Sequence, residues 1–110
     1  MSEVLDAAVL GDLIDHIGVE AVQAVIELFV RECRDLTAAM VASGADRAAV
    51  GRAAHSLKSS AGQLGASALS EAALAVEVAA GAASPTLPEL VAALARCAAL
   101  TQEALAARLQ

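Results

Sequence analysis

Residues 54–65, AHSLKSSAGQLG, place His55, one of only two histidines, three positions ahead of Lys58, the chain's single lysine; every other cation is an arginine. An imidazole can act as base, metal ligand or nucleophile, and an ammonium beside it can hold an anion. Ser56, Ser59 and Ser60 lie close in sequence, but a hydrolytic triad also needs an orienting acid and an oxyanion hole, and nothing in the motif supplies them. One histidine is too few ligands for a metal. Neither a GxxxxGK[ST] loop nor a GxGxxG turn after a strand is present, so no nucleotide site is visible. What remains is a neutral imidazole nitrogen acting as a nucleophile, with a partner bringing the rest of the reacting centre.

The element that positions these residues reads as a helix beginning at Asp46, a good N-cap residue, and running to Gly65. At about 100° per residue it carries two stripes. Val50, Ala54 or Ala53, Leu57, Ala61 and Leu64 form the apolar one; Gly51, His55, Lys58, Ser59 and Gly62 run beside it. His55 therefore belongs to the outward flank, with Lys58 one turn on and able to contact an anion carried on the ring. Ser59 and Gly62 leave that flank without bulk. Glycine inside a helix costs about 1 kcal/mol relative to alanine, and this chain uses alanine freely, so Gly51 and Gly62 read as places where another macromolecule approaches closely. The other reading of Gly62 is a loosening of the helix end.

Helical periodicity continues along the rest of the chain, with no strand alternation. Residues 4–17 bring Leu5, Val9, Leu13 and Ile17 together; residues 19–43 align Val22, Ile26, Phe29, Cys33, Leu36 and Met40. After Gly65 a helix capped by Ser67 turns Leu69, Ala73, Val76 and Ala80 inward, and GAASPT at 81–86 breaks it. The last helix, about 87–109, repeats Leu87, Leu90, Leu94, Ala98, Thr101 and Leu105. The chain is 58% apolar with Phe29 as its only aromatic residue, so its core must come from closely approaching helices. Short connections make neighbours antiparallel. The expected fold is all-α: one domain over residues 1–110, an antiparallel four-helix bundle with a short additional N-terminal helix packed across it.

Charge and composition exclude several classes. The net charge is −6 and the cations look scattered, so a nucleic-acid backbone would be repelled. No uninterrupted apolar run approaches the roughly 18 residues of a membrane span, and MSEVLDAAVL carries acids where a signal peptide has bases. A cytoplasmic protein with no membrane partner is expected. Cys33 and Cys97 lie in apolar stripes without metal-ligand spacing and read as buried thiols. His16, near the end of the first helix, reads as a cation complementing the helix dipole.

The stretch from Ala54 to Gly65 resembles the signature AHxLKGxxxxxG of the histidine-containing phosphotransfer (HPt) domain, and the resemblance extends over nearly the whole chain, from Phe29–Met40 and Asp46 ahead of it to Leu69–Glu77 behind it. It implies a four-helix bundle that relays a phosphoryl group between receiver-domain aspartates. His55 would accept the phosphoryl group through Nε2 and Lys58 would hold its oxygens. Glu77 stands where the family places a hydrogen-bond partner for the other ring nitrogen; its plainer reading is a solvated acid. Ser59 replaces the family's glycine after the lysine; it keeps the site accessible and adds a hydroxyl for the phosphate. Gly65 matches the closing glycine.

The resemblance further implies response-regulator receiver domains and a hybrid sensor histidine kinase as partners, and a monomeric carrier rather than a kinase. It needs no cofactor of its own, Mg²⁺ belonging to the receiver. Docking is expected near His55, over Gly62 and the exposed side of the first helix at Leu10, Ile14 and Ile17, although Ile17 is also counted in that helix's core stripe. The start at Met1 reads as that of a free-standing protein. Two other readings remain: a non-catalytic helical module that binds or sequesters a receiver, against which the intact His–Lys pair stands, and the phosphoacceptor helix pair of a sensor kinase. In the last, an acidic residue and soon a proline follow the histidine, whereas here Ser56 follows and the next proline is Pro85.

Overall fold

Asp6 and Asp46 each begin a helix by accepting hydrogen bonds from backbone N–H groups that have no partner inside it: Asp6 from Ala8 and Val9, Asp46 from Ala49. In the computed structural model, which describes residues 3–108, the helices are α1 (Ala7–Ile17), α2 (Val19–Ala42), α3 (Arg47–Gln63), α4 (Ser67–Gly81) and α5 (Leu87–Arg108). Among the described residues there is no strand; α2 to α5 form the bundle and α1 lies against α2. Residue 109, where the sequence pattern closes the last helix, lies outside the described residues.

Several boundaries differ from the sequence pattern for local reasons. The first helix begins at Ala7 rather than residue 4, because the Asp6 carboxylate supplies the cap there. Ser67 is not a cap: the cap position belongs to buried Ala66, and the Ser67 hydroxyl donates to the Gly65 carbonyl. The residue that α1 buries is Leu10, only 2% exposed, with Leu13 and Ile14 packed beside it. The expected stripe through Val9 and Ile17 is thus rotated, and Ile17 faces outward.

The interior follows from small side chains. Ala54, Leu57, Ala61 and Leu64 of the α3 segment meet a lining of Leu69, Ala73, Val76 and Ala80 from α4, all of them buried. Alanine lets helix backbones approach closely, and α3 and α4 share the most extensive contact in the molecule. Val22, Ile26, Phe29, Cys33 and Met40 come in from α2, and Leu87, Leu94, Ala98, Thr101 and Leu105 from α5. Helix α5 is long and apolar enough by length and composition to cross a membrane, with a mean hydropathy of 1.3, yet its apolar stripe faces the bundle. Cys33 and Cys97 are free thiols, Cys33 fully buried and Cys97 partly; burial pushes both upward from the ordinary thiol range.

Gly65 joins α1 to the bundle. Its φ of +76° lies where side chains are disfavoured, and its carbonyl accepts the Asp6 N–H at 2.7 Å. A Cβ there would stand 2.9 Å from Val9 Cβ and 3.0 Å from the Asp6 carbonyl oxygen. A second strap runs from the Ala68 N–H to the Glu3 carbonyl at 3.0 Å. Gly65→Ala is therefore expected to lower unfolding stability by about 1–3 kcal/mol, read as a reduced urea midpoint. Gly81→Ala, where a Cβ meets nothing within 4 Å, should leave the midpoint unchanged or raise it.

Candidate functional site

Helix α3 holds its reactive flank still by hydrogen bonds to both neighbouring helices. On the α2 side the Ser60 hydroxyl donates to Glu32 Oε1 at 2.7 Å; on the α4 side the Ser70 hydroxyl donates to the Lys58 carbonyl at 3.0 Å. About one turn before these anchors His55 stands out of the bundle with 61% of its side chain exposed. The buried line passes through Ala54 and Leu57, so the ring belongs to the outward flank, as the two-stripe reading places it.

Glu77 of α4 joins His55 and Lys58 of α3. Its Oε2 lies 2.6 Å from His55 Nδ1, and its Oε1 accepts from Lys58 Nζ at 2.8 Å. The Lys58 hydrogen bond first and the His55 hydrogen bond second hold the Glu77 carboxyl below the usual carboxylate range. At neutral pH Glu77 is therefore ionised and can only accept, so the hydrogen of the 2.6 Å contact belongs to Nδ1. In the neutral ring this leaves the lone pair on Nε2, and no described residue bonds to that nitrogen. The arrangement presents a nucleophilic nitrogen to solvent with a carboxylate behind it, able to stabilise the positive charge that the ring gains on attack.

The other residues singled out in the sequence are distributed unevenly. Ser59 and Gly62 are exposed on the flank of His55. A Cβ on Gly62 would be in ordinary contact with Ser70 Oγ at 3.7 Å, and one on Gly51 with Ala80 Cβ at 3.5 Å, so neither glycine is required by a close helix crossing. Leu10, expected on a docking surface, is in the core instead, because the start of α1 is fixed by Asp6 and Gly65 and this rotation turns Leu10 inward. Ile14 is partly buried against the core, and Ile17 alone of the three is exposed. His16 lies away from His55: its Nδ1 is 2.7 Å from the Asp12 carbonyl, in the last turn of α1.

Two features escape a reading of motifs. An apolar surface on the α2 side of α3 comes from α2, where Val25 and Leu28 are exposed; with Leu13, Phe29, Ser60 and Leu64 they line a groove of about 300 Å³. These residues fall off the buried α2 stripe, and an apolar residue on a helix's outer face was the available signal. The cations, moreover, are not evenly scattered: Arg47, Arg52 and Lys58 all lie on α3, which carries no acid at all.

Comparison with known proteins bears on the family and the fold. The Hpt domain family model matches residues 24–109. The chain belongs to the Hpt domain family. Histidine phosphotransfer in phosphorelays is the function that this membership carries. Among solved structures, the fold is similar to that of histidine-containing phosphotransfer protein B (HptB) from Pseudomonas aeruginosa PAO1, with a TM-score of 0.92 and 21% identity over 100% of this chain and 97% of that one. No curated protein matches the chain.

The clamp has a definite pH dependence. The folded Glu77 value lies below the unfolded one, so the clamp contributes stability above the unfolded carboxylate range and loses it as pH falls through the folded value. In ¹⁵N spectra at neutral pH, the neutral His55 ring should carry its hydrogen on Nδ1. Glu77→Ala should shift the ring toward the Nε2-protonated form; an unchanged tautomer would rule out Glu77 as the orienting residue.

Proposed function

We propose that His55 is the phosphoryl carrier of this Hpt domain, receiving the group from the phospho-aspartate of one receiver domain and passing it to the aspartate of another. The observation that carries the reading is the Glu77 contact at Nδ1, which leaves Nε2 as the free, solvent-facing nitrogen. As the P–Nε2 bond forms, the P–O bond to the partner's aspartate breaks and the carboxylate leaves. Positive charge developing on the ring lies against Glu77. Lys58 uses one of its three N–H groups on Glu77 and keeps two for the phosphoryl oxygens. Ser59, small and exposed, keeps access open and offers a hydroxyl.

In this reading the chain is a carrier without a kinase or nucleotide site. The receiver supplies Mg²⁺, which offsets charge on the transferring group, and a hybrid sensor histidine kinase stands upstream. Receivers dock over Ile17, Val25 and Leu28 and across exposed Gly62, in place of a surface built on Leu10 and Ile14. The carrier is cytoplasmic, acts as a monomer, and binds neither nucleic acid nor membrane. Support for the docking face is its exposed apolar side chains and the groove that Val25 and Leu28 form against Ser60 and Leu64.

The test is transfer of label from a radiolabelled phospho-receiver. Wild type should acquire acid-labile, base-stable label and His55→Gln none; unchanged labelling of His55→Gln would refute the assignment. Lys58→Ala should slow transfer by about tenfold or more, the loss of one charge-assisted hydrogen bond. Its melting temperature should fall by no more than about 5 °C, since a solvent-screened ion pair contributes little to folding stability. Parallel losses of transfer and stability would make Lys58 a structural residue.

A further inference from the structure

Beside His55, on the side away from Ser59, an open groove of about 700 Å³ runs between α3 and α4. Its floor is small, formed by Gly51, Ala80 and Gly81, and two arginines, Arg47 and Arg52, border it together with His55. They are unusual in a chain of net charge −6, and they sit on a helix without a single acid.

The two arginines are not equivalent. Arg47 Nη1 donates to the Ser84 carbonyl at 3.1 Å, which ties it to the turn after α4. It lies more than two helical turns from His55. Arg52 is exposed, has no hydrogen-bond or ion-pair partner among the described residues, and stands at i−3 from His55. That spacing puts the two Cβ atoms about 5–6 Å apart on one helix face. Lys58, at i+3, is already paired with Glu77 at 2.8 Å, so lysine and carboxylate cancel as local charges. A phosphoryl group adds about two negative charges at neutral pH, more than Lys58 offsets while it is paired with Glu77, and the neighbouring cation with no partner of its own among the described residues is Arg52. A guanidinium suits that role because it is permanently charged and presents paired N–H groups to phosphoryl oxygens.

We propose that Arg52 is a second phosphoryl-binding cation of this site, folding its guanidinium onto the oxygens of a phosphoryl group carried by His55 Nε2. The inference rests on His55 being the acceptor. Phosphoryl oxygens are then held from both sides along α3, by Lys58 one turn after the ring and by Arg52 one turn before it. Gly51, Ala80 and Gly81 leave the space through which the arginine moves.

The experiment needs no receiver. Phosphoramidate phosphorylates the full chain chemically: its P–N bond breaks, a bond from phosphorus to Nε2 forms, and ammonia leaves. The ³¹P resonance of the phosphohistidine is then followed against pH. A bound guanidinium favours the doubly charged phosphoryl form, so Arg52→Gln should raise the pH of its second ionisation by about half a unit or more. Arg52→Lys should fall between the two, and Arg47→Gln should follow wild type. Identical titrations for wild type and Arg52→Gln would overturn the inference while leaving His55 as carrier. An equal shift in Arg47→Gln would also overturn it, by exposing a diffuse field rather than a contact. Failure of wild type to take phosphate on His55 would instead remove the carrier reading and this inference together.

Discussion

One carboxylate, Glu77, organises the reactive surface. It receives Lys58 on one oxygen and His55 on the other, so a single side chain from α4 sets the direction of the lone pair on a ring belonging to α3. An isolated imidazole on a helix would rotate freely and exchange tautomers. The clamp removes both freedoms while leaving the ring mostly in solvent. It works only if α3 and α4 are held in fixed register, and that explains why the most extensive packing in the molecule lies between them. The buried alanines bring the two backbones near enough for a glutamate to span from one helix to the other.

The sequence made the helices and the outward placement of His55 legible because both are local properties. Of the α2 stripe, Val22, Ile26, Phe29, Cys33 and Met40 are buried and Leu36 partly so, and the α4 line Leu69, Ala73, Val76 and Ala80 is buried. His55 and Lys58 could be placed on one flank because three residues make nearly a full turn. Rotation of α1 was less legible. Leu5, Val9, Leu13 and Ile17 form one plausible stripe and Leu10, Leu13 and Ile14 another; a short helix does not choose between them by periodicity. The choice is made by Gly65, which fixes Asp6 and places Val9 against the α3–α4 turn, a contact between segments far apart in the chain.

Charge was illegible for a different reason. Counted along the chain, seven cations among thirteen acids suggest an acidic surface throughout. Counted by helix, the charged residues of α3 are all positive, while the acids are carried by other segments. Total charge governs solubility and distant repulsion; the field felt at Nε2 is set by the few groups within one or two turns. Chemistry on an anionic group is therefore compatible with an acidic protein.

The strap at Gly65 gives the signature two separable meanings. Its histidine is exposed, its lysine is partly so, and neither belongs to the apolar core, whereas its last residue decides where the opening segment of the chain is anchored. A descendant that lost the imidazole would keep the same shape and the same outer contours, and on the proposed role of His55 only its turnover of phosphate would vanish. Architecture alone thus gives no assurance of reactivity, and two proteins of identical outline can differ as wire and insulator.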